Sequence, residues 1–192
     1  MMLTAINIAS SRGLILAMSH PSADRVAPMS NKTLVAYFSM TGNTHKLAQE
    51  VHAALGRDVD IEEIREPHPR HGATGMVRSL FDAVTRRRPP IAPAMRDPAN
   101  YDLVVLGGPV WAGRMAPPVR TYAGRYGAKA RQLAFFCTED STGADKAFAD
   151  LAKLCQHAPK ATMIVDSEHL EPDSHRAYLA HFVATAKRDV AH

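Results

Sequence analysis

The chain has 192 residues, 46% of them hydrophobic and 22% charged, the balance of one globular domain with a substantial core. No uninterrupted apolar run reaches the roughly 18 residues a membrane-spanning helix needs, so insertion into a membrane is not expected. The formal net charge is +4, and its origin is local: six arginines between Arg65 and Arg88 face only Glu66 and Asp82. Without a nucleic-acid motif or an aromatic platform beside them, those arginines read as a solvated loop, and no nucleic-acid partner is expected. Two cysteines, Cys137 and Cys155, are too few for a disulfide framework and fit reduced, buried thiols in a cytoplasmic protein.

Residues 1–30 read as an extension outside the domain, either disordered or not native. They lack a convincing hydrophobic period, and Arg12 interrupts the apolar stretch that a signal peptide would need. Met29, with Met18 as the other choice, is the expected natural start, and residues 31–192 form the domain.

From Thr33 onward, short apolar runs alternate with helical periods. Leu34 to Phe38 reads as a strand buried on both faces. A helix follows with Leu47, Ala48, Val51, Ala54 and Leu55 on one face, stopping at Gly56. Val59 to Ile64 alternates, as an exposed edge strand would. After the basic loop, Met76, Val77, Leu80, Phe81 and Val84 mark a second helix that breaks at Pro89-Pro90. Leu103 to Leu106 is the third strand, closed by Gly107-Gly108-Pro109, and Pro117-Pro118 opens the next helix. Leu133 to Cys137 is the fourth strand. Ala144, Ala147, Phe148, Leu151 and Cys155 define the helix after it. Thr162 to Val165 is the fifth strand, and Tyr178, Leu179, Phe182, Val183 and Ala186 line the last helix.

Five strands separated by helices predict an α/β doubly wound parallel sheet with helices on both faces. Ligands of such sheets bind beyond the carboxyl ends of the strands, where strand order reverses. The loops after strands one, three and four are therefore the places for chemistry.

Ser39-Met40-Thr41-Gly42-Asn43-Thr44 joins strand one directly to its helix. A helix N-terminus offers free N–H groups and a partial positive charge, both suited to a phosphate. Three hydroxyls (Ser39, Thr41, Thr44) and the Asn43 amide exceed what capping one helix requires, and Gly42 lets the backbone approach an anion. The loop lacks the Gly-Lys-Ser/Thr ending of a triphosphate loop and the Gly-x-Gly-x-x-Gly of a dinucleotide fold. A single terminal phosphate is the better match.

In this setting the chain resembles the flavodoxin family, whose signature is a strand, then Ser/Thr-x-Thr-Gly-x-Thr, then a helix. Ser39 to Thr44 fits every fixed position, and the resemblance runs from about Thr33 to Lys187. It implies a flavodoxin-like fold of five parallel strands in the order 2-1-3-4-5, flavin mononucleotide (FMN) as cofactor, and electron transfer as function. By resemblance Pro109, Val110, Trp111, Ala112 and Gly113 line one side of the flavin ring. Trp111, the only tryptophan, either stacks on that ring or folds back onto the core. By the same resemblance Cys137, Thr138, Glu139, Asp140 and Gly143 meet the pyrimidine edge, chiefly through backbone N–H groups.

Cys137 to Gly143 contains no aromatic residue, whereas many electron carriers of the family have one there, so one flavin face is expected to be open. Glu139 and Asp140 would disfavour an anionic reduced ring if they pointed inward, although solvent is the default for loop acids. Thr142 and Asp145 look like a capping box. His45 and His52 read as surface residues, and no histidine shows metal-ligand spacing. Flavin carries its own redox chemistry, so no catalytic side chain is assigned.

Three functions follow. The first is an FMN electron carrier working with a redox partner protein. The second is an FMN-dependent reductase taking hydride from a nicotinamide cofactor and serving a small quinone-like acceptor. The third is a flavodoxin-fold module without cofactor. A homodimer is compatible with each.

Overall fold

The computed structural model describes residues 32–67, 88–140, 142–167 and 172–188. The extension at 1–30, the helix expected over Met76 to Val84 and most of the arginine cluster lie outside these residues.

The described chain runs through β1 (Thr33–Tyr37), α1 (Asn43–Leu55), β2 (Val59–Glu63), β3 (Leu103–Trp111), β4 (Arg114–Met115), α2 (Pro117–Tyr126), β5 (Leu133–Glu139), α3 (Ala144–Cys155), β6 (Ala161–Asp166) and α4 (Pro172–Lys187). Five strands form a parallel path in the order β2-β1-β3-β5-β6, and β4 pairs antiparallel with β3 at one end. Apart from this added two-residue strand, the order is the 2-1-3-4-5 expected from the sequence.

Alternating strand residues feed two cores. Leu34, Ala36, Leu106, Phe135 and Cys137 pack with Val119, Phe148 and Leu151 on the α2–α3 side. Val35, Tyr37, Val105, Phe136 and Met163 pack with Leu47, Val51 and Phe182 on the α1–α4 side. A sheet covered on both faces needs near-continuous apolar strands, which explains the runs at Leu34 to Phe38 and Leu133 to Cys137.

Two strands are longer than the sequence suggested. β3 does not stop at Leu106 but continues through Gly107-Gly108-Pro109 to Trp111, and β5 reaches Glu139. The register explains how glycine and proline are tolerated there. β1 ends at Tyr37, opposite Gly107, so Gly108 and Pro109 have no β1 partner and pair with β5. Pro109 thus sits where one side of the strand needs no donor. Beyond it, Val110 and Trp111 turn back on Met115 and Arg114. The turn residues Ala112 and Gly113 have φ of 50° and 67°, the positive values that a tight two-residue hairpin requires.

Helix faces differ from expectation at three places. Ala54 is exposed while Thr44 is buried on α1. Tyr178 is 67% exposed, one residue off the buried face of α4. That face instead includes His175, whose Nε2 meets Glu50 Oε2 at 2.5 Å across the α1–α4 contact. The helix α3 is as expected, with Ala144, Ala147, Phe148, Leu151 and Cys155 buried.

On the edge strand, Glu62 is only 5% exposed, and its carboxylate accepts from the Arg96 N–H at 3.0 Å. Burial raises its carboxyl above the ordinary value, opposed by backbone N–H bonds from Arg96 and Met95. A carboxyl raised in the folded state favours folding below the unfolded carboxylate value, and this contribution is lost as pH rises through the folded one. Glu62→Gln keeps an oxygen acceptor without the charge. Urea unfolding from pH 4 to 7 should show the variant gaining on the wild type as pH rises. A difference constant across that range would mean that Glu62 is not held against burial.

Candidate functional site

The site is the carboxyl end of β1, β3 and β5, where three connections meet. The first is built on Gly42, which caps α1 with φ 95° and, having no side chain, makes no cap hydrogen bond. No acidic residue stands in the first turn, so the N–H groups there keep their partial positive charge uncompensated. A Cβ placed on Gly42 would meet nothing within 4 Å, so the space above it is open. An anion can approach the backbone at this point.

The side chains of this loop divide into two groups. Thr41 is exposed and Asn43 half-buried. Ser39 is engaged within the loop, its Oγ accepting from the Gly42 N–H at 3.1 Å, which leaves the hydroxyl proton to donate elsewhere. Met40 is half-buried against the α2–α3 core. Thr44 turns inward: it is 2% exposed, and its Oγ1 lies 2.8 Å from Oγ1 of Thr138 on β5. The sequence placed all four polar side chains around one point; the structure gives Ser39 and Thr44 internal bonds and leaves Thr41 exposed and Asn43 half-buried.

His45 in the first turn is exposed, yet its Nδ1 shares a 2.6 Å hydrogen bond with the Tyr37 hydroxyl. His52 donates from Nε2 to the Val59 carbonyl at 3.1 Å. Both are helix-to-sheet ties.

The second connection is the β3–β4 hairpin rather than an open loop. Trp111 is half-buried and meets Phe38 edge-on, with ring centroids 6.1 Å apart and an interplanar angle of 88°. Its position lies between the two expectations: one edge is anchored on Phe38, and the ring is not fully enclosed. Pro109, Val110 and Gly113 are half-buried and Ala112 is exposed.

The third connection begins later than the sequence implied. Cys137, Thr138 and Glu139 are strand residues, paired with both β3 and β6 or, for Glu139, with β6. Cys137 is fully buried in the α2–α3 core, and burial pushes its thiol far above the ordinary value. Cys155 is likewise raised, to about 12. Neither is a reactive thiolate.

Glu139 is half-buried, and its Oε2 accepts from the Ala144 N–H at 3.1 Å, which ties it to the first residue of α3. Burial raises its carboxyl, this bond opposes the shift, and Asp145 and Asp166 add to the rise. The expected Thr142–Asp145 capping box is absent because α3 starts at Ala144 with Gly143 as its cap. Thr142 is one residue too early. Asp140 is exposed.

Gly113 and Gly143 bring the second and third connections into backbone contact: a Cβ on Gly143 would lie 2.5 Å from the Gly113 Cα. The Thr44–Thr138 bond adds a tie between the first turn of α1 and the end of β5. Among the described residues no cluster of three metal-ligating side chains occurs, and no helix is long and apolar enough to cross a membrane. Missed in the sequence were Phe38 as the rest for Trp111 and Thr138 as the partner of Thr44. Only the apolar run ending at Phe38 gave a hint of the first.

The geometry fits a terminal phosphate at α1 with a planar group beside the two touching connections. The flavodoxin family model matches residues 32–179. Among solved structures, a flavoprotein from Lactobacillus acidophilus NCFM in complex with FMN is 22% identical, with a TM-score of 0.61 over 79% of this chain and 99% of that one. A Bacteroides eggerthii DSM 20697 protein assigned as a flavoprotein is 25% identical, with a TM-score of 0.63 over 79% and 97%. A flavodoxin of Streptococcus pneumoniae TIGR4 is 17% identical, with a TM-score of 0.51 over 80% and 96%.

Proposed function

This chain belongs to the flavodoxin family, and from that premise we propose that it binds FMN and acts in electron transfer. The observation that carries this reading is the uncapped N-terminus of α1, with no acid in its first turn and open space above Gly42. The first-turn N–H groups, with Thr41, Asn43 and the Ser39 hydroxyl, would hold the phosphate. The similar Lactobacillus protein, solved in complex with FMN, supports the same ligand.

Bound FMN would supply the redox chemistry. The chain's own residues position it. The hairpin carries Trp111 to one side of the ring site, steadied by Phe38. Gly143, against the backbone of Gly113, holds the second and third connections together beside that site. Glu139, tied to α3, keeps a carboxylate at the start of that helix, which would work against negative charge on a reduced ring.

A second reading, an FMN-dependent reductase using a nicotinamide cofactor, is favoured by one specific feature. Cys137 to Gly143 carries no aromatic residue, so this connection lays nothing flat on the ring. The carrier reading needs a protein partner, and the basic balance of the chain suits an acidic one.

Adding FMN to the protein should quench Trp111 fluorescence and shift the flavin absorbance. Thr41→Ala, on an exposed residue, should weaken binding by about tenfold or more, since a hydrogen bond to a charged group is worth ~1.5–3 kcal/mol. Unchanged spectra at saturating FMN would remove the binding claim. Anaerobic mixing of the loaded protein with NADH or NADPH then separates the two roles: rapid bleaching identifies a reductase, and none leaves a carrier.

A further inference from the structure

The geometry points to Thr138 as a positioning residue for the phosphate: its hydroxyl holds Thr44 Oγ1 from below, setting the first turn of α1 for the anion. This inference rests on the FMN reading above.

The two threonines are 94 residues apart in sequence, both 2% exposed, with their hydroxyl oxygens 2.8 Å apart. Strand alternation sends Cys137 into the α2–α3 core and Thr138 to the opposite face, toward α1. A buried α/β strand position of this size is commonly filled by valine or isoleucine. Burying two hydroxyls instead costs desolvation unless each is satisfied. Two hydroxyls carry two protons, and the bond between them uses one. If Thr138 donates to Thr44, the Thr44 proton is left at the α1 N-terminus, where an anion is the natural acceptor. The opposite orientation would turn that proton into the sheet.

The backbone of Thr138 is not free for a different role. Its strand position is matched with Pro109 on one side and Val165 on the other, so its contribution is the side chain. This separates it from the ring-edge role that the resemblance implied, in which backbone N–H groups meet the flavin. A group acting through the phosphate loop should affect FMN and leave riboflavin, which has no phosphate, as it was.

The test is the affinity of the full chain for FMN and for riboflavin, by Trp111 quenching, in wild type, Thr138→Val and Thr138→Ser. Thr138→Val should lower FMN affinity about fivefold, the usual scale for one neutral hydrogen bond, with riboflavin affinity unchanged. Thr138→Ser should restore the preference for FMN. Equal losses for both ligands in Thr138→Val, or an unaltered FMN affinity, would overturn the inference. If Thr138→Val does not fold, Thr138→Ala against Thr138→Ser makes the same comparison, and equal FMN preferences would overturn it. A wild-type protein that binds no FMN would be the failure of the FMN reading instead. Melting temperatures of the apoproteins provide an independent readout: a general packing defect would lower them in proportion to the loss for both ligands.

Discussion

Gly107→Ala should destabilise the protein by about 3 kcal/mol, the upper end of the usual cost of overpacking. A Cβ at this position would lie 1.9 Å from the Phe136 Cζ and 2.3 Å from Cε1. Phe136 is fully buried on β5, directly opposite Gly107 in the sheet. A rigid aromatic ring packed among α1 and α4 side chains has no alternative place to go, and the backbone at Gly107 is held by both β1 and β5. Typical total stabilities are ~5–15 kcal/mol, so this one methyl would consume a large part of the margin. Urea unfolding measures it directly. Gly107→Ala combined with Phe136→Leu should lose less than the sum of the two single changes, because the smaller side chain removes the clash. A loss below roughly 0.5 kcal/mol, the range of neutral surface changes, would mean that the ring and the glycine are not packed as described.

Gly143→Ala should cost about as much for two reasons that act together. Gly143 has φ 128°, where a side chain is strained by ~1–3 kcal/mol. Its Cβ would also press on the Gly113 Cα at 2.5 Å, and a backbone atom cannot rotate aside. Gly42→Ala is the useful contrast. Its φ of 95° is also positive, but a Cβ there meets nothing within 4 Å, so only the strain remains. The expected result is that Gly143→Ala loses clearly more stability than Gly42→Ala. It should also shift Trp111 emission, because the hairpin that carries Trp111 is the part displaced. Equal losses with unchanged emission would show that the two connections do not touch.

These glycines also show why some of the site escaped the sequence. Gly107-Gly108-Pro109 has the composition of a strand breaker, and by local rules β3 should end at Leu106. It continues because β1 departs opposite Gly107 and because Phe136 fills the space that a side chain would have taken. Both facts are contacts between distant residues. The same holds for Thr44, whose polar type suggested a phosphate donor, but whose partner Thr138 is fixed only by the fold. His175 escaped for a related reason: a histidine on the buried face of α4 depends on Glu50 being across from it. The capping of α3 was missed by a single residue, since Gly143 rather than Thr142 precedes the first helical residue.

What local pattern does encode was legible. The apolar runs at Leu34 to Phe38 and Leu133 to Cys137 need burial on both faces, which only a covered parallel sheet provides. The buried face of α3 follows from its period without error. The loop from Ser39 to Thr44 stood out because a helix N-terminus with that many hydroxyls is more than a cap. The structure then narrowed it: the anion site we propose is the N-terminus behind Gly42, which no side chain caps, with Thr41 exposed beside it and Ser39 and Thr44 committed to bonds of their own.

The central claim, that the N-terminus of α1 receives the FMN phosphate, is tested most directly by amide chemical shifts in ¹⁵N-labelled protein. FMN should produce its largest shifts at the N–H groups of Thr41, Gly42, Asn43, Thr44 and His45, together with shifts at the hairpin around Trp111. Riboflavin should reproduce the hairpin shifts and leave the five loop amides nearly in place. Loop amides that stay still when FMN binds, with the shifts gathered elsewhere, would contradict the claim.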